Sequence, residues 1–303
     1  MPRLFDAYII VDWSAASKPV RGPNSIWVAI CTRDENQQAR ISTHNPSTRL
    51  EARHLVLDRA QSLIERGAKV LIGFDFAMGY PVGTADALGL QGVAPPWKRM
   101  QDHLAEQTPE QADNSNTRFQ IAAAMNAAMT GGPHPFWGAT KTKACETLSM
   151  KKGDFKNDLS FPEHRICEAW IKANFKANPK SVWQLTGIGS VGSQALSGIP
   201  TLAYIREFIE SAQIWPFETG FKPLTPNDLK NMSCVLAEIY PSTVELTPKT
   251  GEVLDETQVK TLSKHLESLD SAGILGSAFG PPDSISEREI HKITAEEGWI
   301  LAK

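Results

Sequence analysis

Tyr8-Ile9-Ile10-Val11-Asp12-Trp13-Ser14 and Val70-Leu71-Ile72-Gly73-Phe74-Asp75-Phe76 are short apolar runs, each with one aspartate near its end. Runs of this length and composition fold as strands buried on both faces of a sheet. A carboxylate at the end of such a strand is expensive to bury unless a cation or a hydrogen-bond donor meets it. Two of them, on strands able to lie side by side, point to a shared metal or phosphate site.

The surrounding pattern makes that pairing plausible in three dimensions. After the strand at 7–13, a polar loop with Gly22, Pro23 and Asn24 leads to a second strand from Ser25 to Thr32. Ala39, Ile41 and Thr43 alternate with polar residues, as in a short half-exposed strand. Val56, Ala60, Leu63 and Ile64 recur at helical spacing within 50–67, and Gly67 stands where a helix stops. Short connections predict an antiparallel meander for the first three strands. The helix then carries the chain to a fourth strand, 70–76, parallel to the first. Asp12 and Asp75 fall toward the carboxyl ends of these parallel neighbours, where open α/β sheets bind ligands.

Further along, helices are expected near 97–107, over 117–129 and through Leu202, Ile205, Phe208 and Ile209, with Pro200 interrupting the last one early. Residues 234–240 return to strand character, and 257–279 read as one long helix ended by Pro281 and Pro282. The simplest assembly is a single α/β domain over 1–303. Its core, 1–81 and 233–303, is a five-stranded mixed sheet flanked by helices, and 82–232 is one large, mainly helical insertion.

Composition narrows the function classes. A net charge of -3 gives no whole-surface attraction for nucleic acid, although 141–180 holds nine Lys and Arg against five Asp and Glu. Cys31, Cys145, Cys167 and Cys234 are too scattered for a zinc knuckle and do not read as a disulfide framework. With no signal-like apolar opening and no bilayer-length apolar segment, a cytoplasmic protein with reduced thiols and no membrane association is the expectation. Oligomeric state is not legible.

The order of strand, strand, strand, helix, strand, then a late strand and helix, resembles the ribonuclease H-like fold. More narrowly, the chain resembles an uncharacterised bacterial family of predicted nucleases with that fold. Asp12 on the first strand, Ile72-Gly73-Phe74-Asp75, Glu238-Ile239-Tyr240-Pro241, Leu269-Asp270-Ser271-Ala272 and Glu297-Gly298-Trp299-Ile300-Leu301 carry the likeness. It covers about 1–81 and 234–303. The resemblance implies a metal-dependent nuclease or phosphodiesterase in which Asp12, Asp75, Asp270 and Glu238 are catalytic. Asp12 would bridge two Mg²⁺ or Mn²⁺ ions, with Asp75 and Asp270 each holding one. Glu238 is the least typical member, lying in a strand. Nucleic acid or a small nucleotide would be the substrate.

Three of these acids also have an ordinary structural use. Asp75 can satisfy the turn at 76–80, Asp270 can be an exposed helix residue, and Glu238 can pair with a lysine of the insertion. Two alternatives come from other constellations. Ser14, Ser17 and Lys18 follow the first strand, where actin-like and sugar-kinase ATPases hold phosphate. That raises an ATP-dependent phosphotransferase, although no second copy of the unit is evident. Gly187-Ile188-Gly189-Ser190-Val191-Gly192 matches G-x-G-x-x-G without a convincing strand before it. It reads better as a turn or loop over the acidic site, with Gly189 and Ser190 near a phosphate, than as a dinucleotide fingerprint. Trp97, Phe136, Trp137, Trp170 and Trp183 are either core of the insertion or base-stacking platforms. A non-catalytic binding protein on the same core is the remaining class.

Overall fold

A computed structural model describes residues 3–153, 161–187, 189–247 and 251–302. The strands are β1 (Ala7–Asp12), β2 (Trp27–Arg33), β3 (Ala39–His44), β4 (Val70–Phe74), β5 (Ala212–Ile214) and β6 (Cys234–Glu238). The helices are α1 (Arg49–Ile64), α2 (Thr84–Ala87), α3 (Pro96–Gln107), α4 (Arg118–Thr130), α5 (Ile166–Asn174), α6 (Val191–Phe208), α7 (Leu254–Ser271), α8 (Leu275–Ala278) and α9 (Glu287–Lys292). They build an α/β fold around a mixed sheet of order β3-β2-β1-β4-β6-β5. The meander β1–β2–β3 is antiparallel, and β1, β4, β6 and β5 run parallel to one another.

Alternation along the strands assigns the two faces. Ile9, Val11, Ile72, Phe74 and Leu236 pack with Ala52, Val56 and Ala60 of α1 and with Leu196, Ile199 and Leu202 of α6. Tyr8, Ile10, Leu71, Val235 and Ala237 pack with Val259, Leu262 and Leu266 of α7. β1, β4 and β6 are buried along their whole length, as their unbroken apolar sequences require. At the sheet edge β3 is exposed or half-buried, which fits its alternating composition. Thr48 caps α1 by accepting from the Glu51 amide (3.1 Å), and Glu51 returns to the Ser47 amide (2.7 Å).

Three expectations need correction. The sheet has six strands, not five, because β5 pairs with β6. The segment 82–232 therefore contributes to the central sheet, and a three-residue strand is too short to leave a periodic signal. Pro200 lies inside α6 without ending it. The helix is buried along most of its length, and that packing outweighs the roughly 3 kcal/mol that proline costs in a helix interior. The helix expected over 257–279 is α7 and α8, separated at Gly273, which adopts φ +70°.

Two glycines set how closely the turn after β4 is held. A Cβ on Gly79 would lie 2.3 Å from the Glu296 carbonyl oxygen, and one on Gly198 of α6 would lie 2.4 Å from the Phe76 ring. Residues 75–80 are thus pressed between α6 and the C-terminal tail. Among the described residues no helix is long and apolar enough to cross a membrane. All four cysteines are free; Cys31, Cys167 and Cys234 are buried and Cys145 is exposed.

Candidate functional site

Parallel pairing aligns Val11 with Phe74, and the Asp75 amide donates to the Val11 carbonyl (2.9 Å). Asp12 and Asp75 continue that register by one step, on strands about 4.8 Å apart. Pleat alternation turns both toward the α7 side of the sheet, with Tyr8, Ile10 and Leu71. Asp12 is 9% exposed and Asp75 is partly buried. Among the described residues neither carboxylate accepts a hydrogen bond. The turn donors that Asp75 was positioned to satisfy go elsewhere: the Met78 amide donates to Glu238 (2.9 Å).

The electrostatics follow from this arrangement. Burial pushes the Asp75 carboxyl up to about 7, and Glu238 and Asp255 add to the shift. Asp12 is pushed well above the carboxylate range, first by burial and then by Asp75 and Asp255. Each acid of the pair disfavours ionisation of the other. Asp255, in the first turn of α7, is the acid that the sequence reading missed. Its Oδ2 accepts from the Asn24 amide (2.6 Å). The available signal was Asp255-Glu256 just ahead of an apolar periodic helix, but acids are ordinary at helix starts.

Glu238 is register partner of Phe74, one step short of Asp75. Its two oxygens accept from both terminal nitrogens of Arg165 (2.6 and 2.8 Å). Arg165 also donates to Glu168 (3.0 Å) and to the Glu297 carbonyl (3.0 Å). Glu238 therefore has a partner from the 82–232 segment, an arginine in place of the expected lysine. Bidentate pairing of this kind neutralises the acid and fixes its orientation. The same frame includes Glu297, whose carboxylate accepts from the Val82 (3.1 Å) and Ile166 (2.8 Å) amides. Arg165 had no distinguishing signal within the basic 141–180 run.

Asp270 is not brought to this site. It is 1% exposed and accepts from the Leu4 and Phe5 amides (2.8 Å each) and the Tyr8 hydroxyl (2.6 Å). These groups surround the amino end of β1, whereas Asp12 ends it. Along α7 the rise from Asp255 to Asp270 is about 22 Å. Asp270 is thus removed from the ligand set, and it is buried rather than exposed on its helix. Asp270→Ala is expected to lower stability by about 3 kcal/mol, since three buried donors lose a charged acceptor. Urea denaturation checks the loss, and a Mn²⁺ titration of the same variant should match wild type.

A cavity of about 170 Å³ opens beside Asp75, lined among others by Glu238, Arg165, Lys180, Gly189 and Gln194. Gly189 adopts φ +71°, and the Lys180 stem lies across it where a Cβ would stand 2.7 Å away. The glycine-rich segment is thus a turn into α6 at the wall of this cavity; Ile188 lies outside the described residues. The amides that follow Gly189 and Ser190 are taken up within the fold. Val191 donates to the Gly189 carbonyl (2.8 Å), Gly192 to Gln184 (2.9 Å) and Ser193 to Ser190 (3.1 Å).

The loop after β1 is similarly engaged. Ser14 Oγ accepts from the Ala16 amide (3.3 Å), Ser17 Oγ accepts from Arg118 (2.8 Å), and the Lys18 carbonyl accepts from Asn114 (3.1 Å). The Lys18 side chain is exposed. Trp97, Phe136 and Trp183 are buried core residues, and Trp137 and Trp170 pack partly buried against it.

Among the described residues no group of three or more His, Cys, Asp or Glu side chains is gathered to hold a metal ion. The Asp12–Asp75 pair nevertheless has the donor chemistry of a Mg²⁺ or Mn²⁺ site. Such ions keep several waters and are bound by one or two carboxylates. No family model, no curated protein and no solved structure matches this chain.

Proposed function

We propose that this chain is a metal-dependent phosphodiesterase with a ribonuclease H-like core, acting on nucleic acid or a nucleotide. The observation that carries the reading is the Asp12–Asp75 pair: two acids on adjacent parallel strand ends, both driven toward the neutral form, with no donor on either carboxylate among the described residues. That arrangement is unfavourable by itself and becomes favourable when a cation joins it. The strand order through β3-β2-β1-β4-β6, with its antiparallel meander, agrees with the reading.

In this proposal Asp12 and Asp75 hold Mg²⁺ or Mn²⁺, and Asp255 strengthens the negative field there. A bound ion supplies a water of lowered pKa and charge stabilisation at a phosphoryl oxygen. Lys180, with no carboxylate partner among the described residues, draws a phosphate to the cavity wall. Arg165 is not a substrate ligand, because its donors are directed to Glu238, Glu168 and the Glu297 carbonyl. Its role is to hold Glu238 on the Met78 amide and so fix the turn that carries Asp75.

The test is hydrolysis of bis(p-nitrophenyl) phosphate and of short single-stranded oligonucleotides with Mg²⁺ or Mn²⁺. Wild type should turn over in a metal-dependent manner, and Asp75→Asn should lose at least about 10²-fold, as when one preorganised charge is removed from a site. Equal turnover by wild type and Asp75→Asn would overturn the proposal. Absence of saturable Mn²⁺ binding by wild type would leave a non-catalytic binding protein.

A further inference from the structure

A second concentration of charge lies on the other flank of the loop that follows β1. Arg49 and Arg53 share one carboxylate, Glu110 (3.0 and 3.3 Å). Arg118, the first residue of α4, has no carboxylate partner among the described residues. It is held by neutral oxygens instead: Nε donates to Ser193 Oγ (3.0 Å), and Nη1 donates to Ser17 Oγ (2.8 Å) and Asn116 Oδ1 (2.6 Å). Its guanidinium carbon stands 4.5 Å from the centre of the Phe119 ring. Nη2 makes no hydrogen bond to the described residues. Asp113 is turned to the Ser115 amide (3.0 Å), and Glu110 is taken by Arg49 and Arg53. Burial, with repulsion from Arg49, lowers the Arg118 pKa to about 10.

A guanidinium fixed in place, partly desolvated and lacking a counter-ion favours an oxyanion, which its planar fork matches. Arg118, Arg49, Asn116, Thr117 and Glu110 line a notch of about 20 Å³, room for one oxygen-sized atom. Helix α6 contributes to the walls of both the notch and the Asp75 cavity. Ser193 meets Arg118, while the next residue, Gln194, donates to the Trp13 carbonyl (2.7 Å) and lines the Asp75 cavity.

We propose that Arg118 binds a phosphate of a nucleic-acid strand next to the phosphodiester held at Asp12 and Asp75, so that the substrate is a single strand rather than a mononucleotide. This rests on the phosphodiesterase reading. Ser17, Asn116 and Ser193 position the guanidinium, and Lys18 beside Ser17 adds to the attraction.

The experiment measures binding of a fluorescent oligothymidylate and of thymidine 5′-monophosphate, with Ca²⁺ in place of Mg²⁺, across a salt series. Wild type, Arg118→Gln and Arg118→Lys are compared, each with a Mn²⁺ titration and a thermal melt. Expected for Arg118→Gln is about tenfold weaker oligonucleotide binding and a salt slope reduced by about 0.7, the value for one phosphate contact on a single strand. Mononucleotide and Mn²⁺ binding should be unchanged, with partial recovery in Arg118→Lys. Wild-type affinity and slope in Arg118→Gln would overturn the proposal, as would no oligonucleotide binding by wild type. A lowered melting temperature with equal losses for both ligands would also overturn it, making Arg118 a tether of the loop. Loss of Mn²⁺ binding from wild type itself would instead count against the carboxylate site, which keeps the two failures apart.

Discussion

Asp75→Asn should make the metal-free protein more stable at about pH 8, not less. The Asp75 carboxyl titrates at about 7 in the folded protein against an ordinary 3.8. Between those values the folded state holds a proton that the unfolded state has released, so stability falls as pH rises through this window. The penalty is complete above the folded value. Each pK unit corresponds to about 1.4 kcal/mol, so the relief on removing the charge is on the order of a few kcal/mol. Thermal melts of wild type and variant from about pH 4 to pH 8 should coincide at the acid end and separate toward the alkaline end. A divalent ion reverses the order. At a free Mn²⁺ concentration of about 100 Kd, wild type should gain about 2.7 kcal/mol and the variant far less. Melts that separate without any Mn²⁺ effect would show a strained acid pair that binds no ion.

Arg165→Leu should be among the most damaging single changes in the chain. Arg165 is 1% exposed and Glu238 is 4% exposed, so removing the arginine leaves Glu238 buried without its cation and leaves Glu168 to His164 (3.4 Å). Breaking one side of a buried pair costs about 3–5 kcal/mol. Arg165→Lys should recover little, because a single ammonium cannot reproduce the fork that bonds Glu238 twice and Glu168 once. The double change Arg165→Leu/Glu238→Leu should regain part of the loss, since no unpaired charge remains at that pair. Urea denaturation of these four proteins and of Glu238→Leu tests this; additive losses in the double variant would show that the two residues do not act as a unit.

The same contrast explains which parts of the site were legible beforehand. Asp12 and Asp75 stood out because each follows an uninterrupted apolar strand, and the register of β1 with β4 follows from the short meander and the α1 crossover. Asp255 did not stand out, because an acid in the first turn of a helix has an ordinary local reason to be there. Asp270 was drawn in by its place in a late helix. Yet α7 is antiparallel in sense to the site: Asp255 begins it near Asp12 and Asp75, and Asp270 ends it at the amino end of β1. Which end of a helix reaches a site depends on its direction across the sheet, and residue spacing alone does not carry that direction.

By itself the sequence determined the α/β class, the meander, the crossover and the two strand-end aspartates, because apolar runs and turn residues act over a few neighbours. Tertiary structure alone decided that β5 joins the sheet, that Arg165 neutralises Glu238, and that Asp270 anchors the chain's start. It also brought Arg118 to Ser17 and Ser193, and those contacts are 101 and 75 residues apart in the chain. Partners so distant are selected by packing and charge compensation across the whole fold, and no local pattern records them.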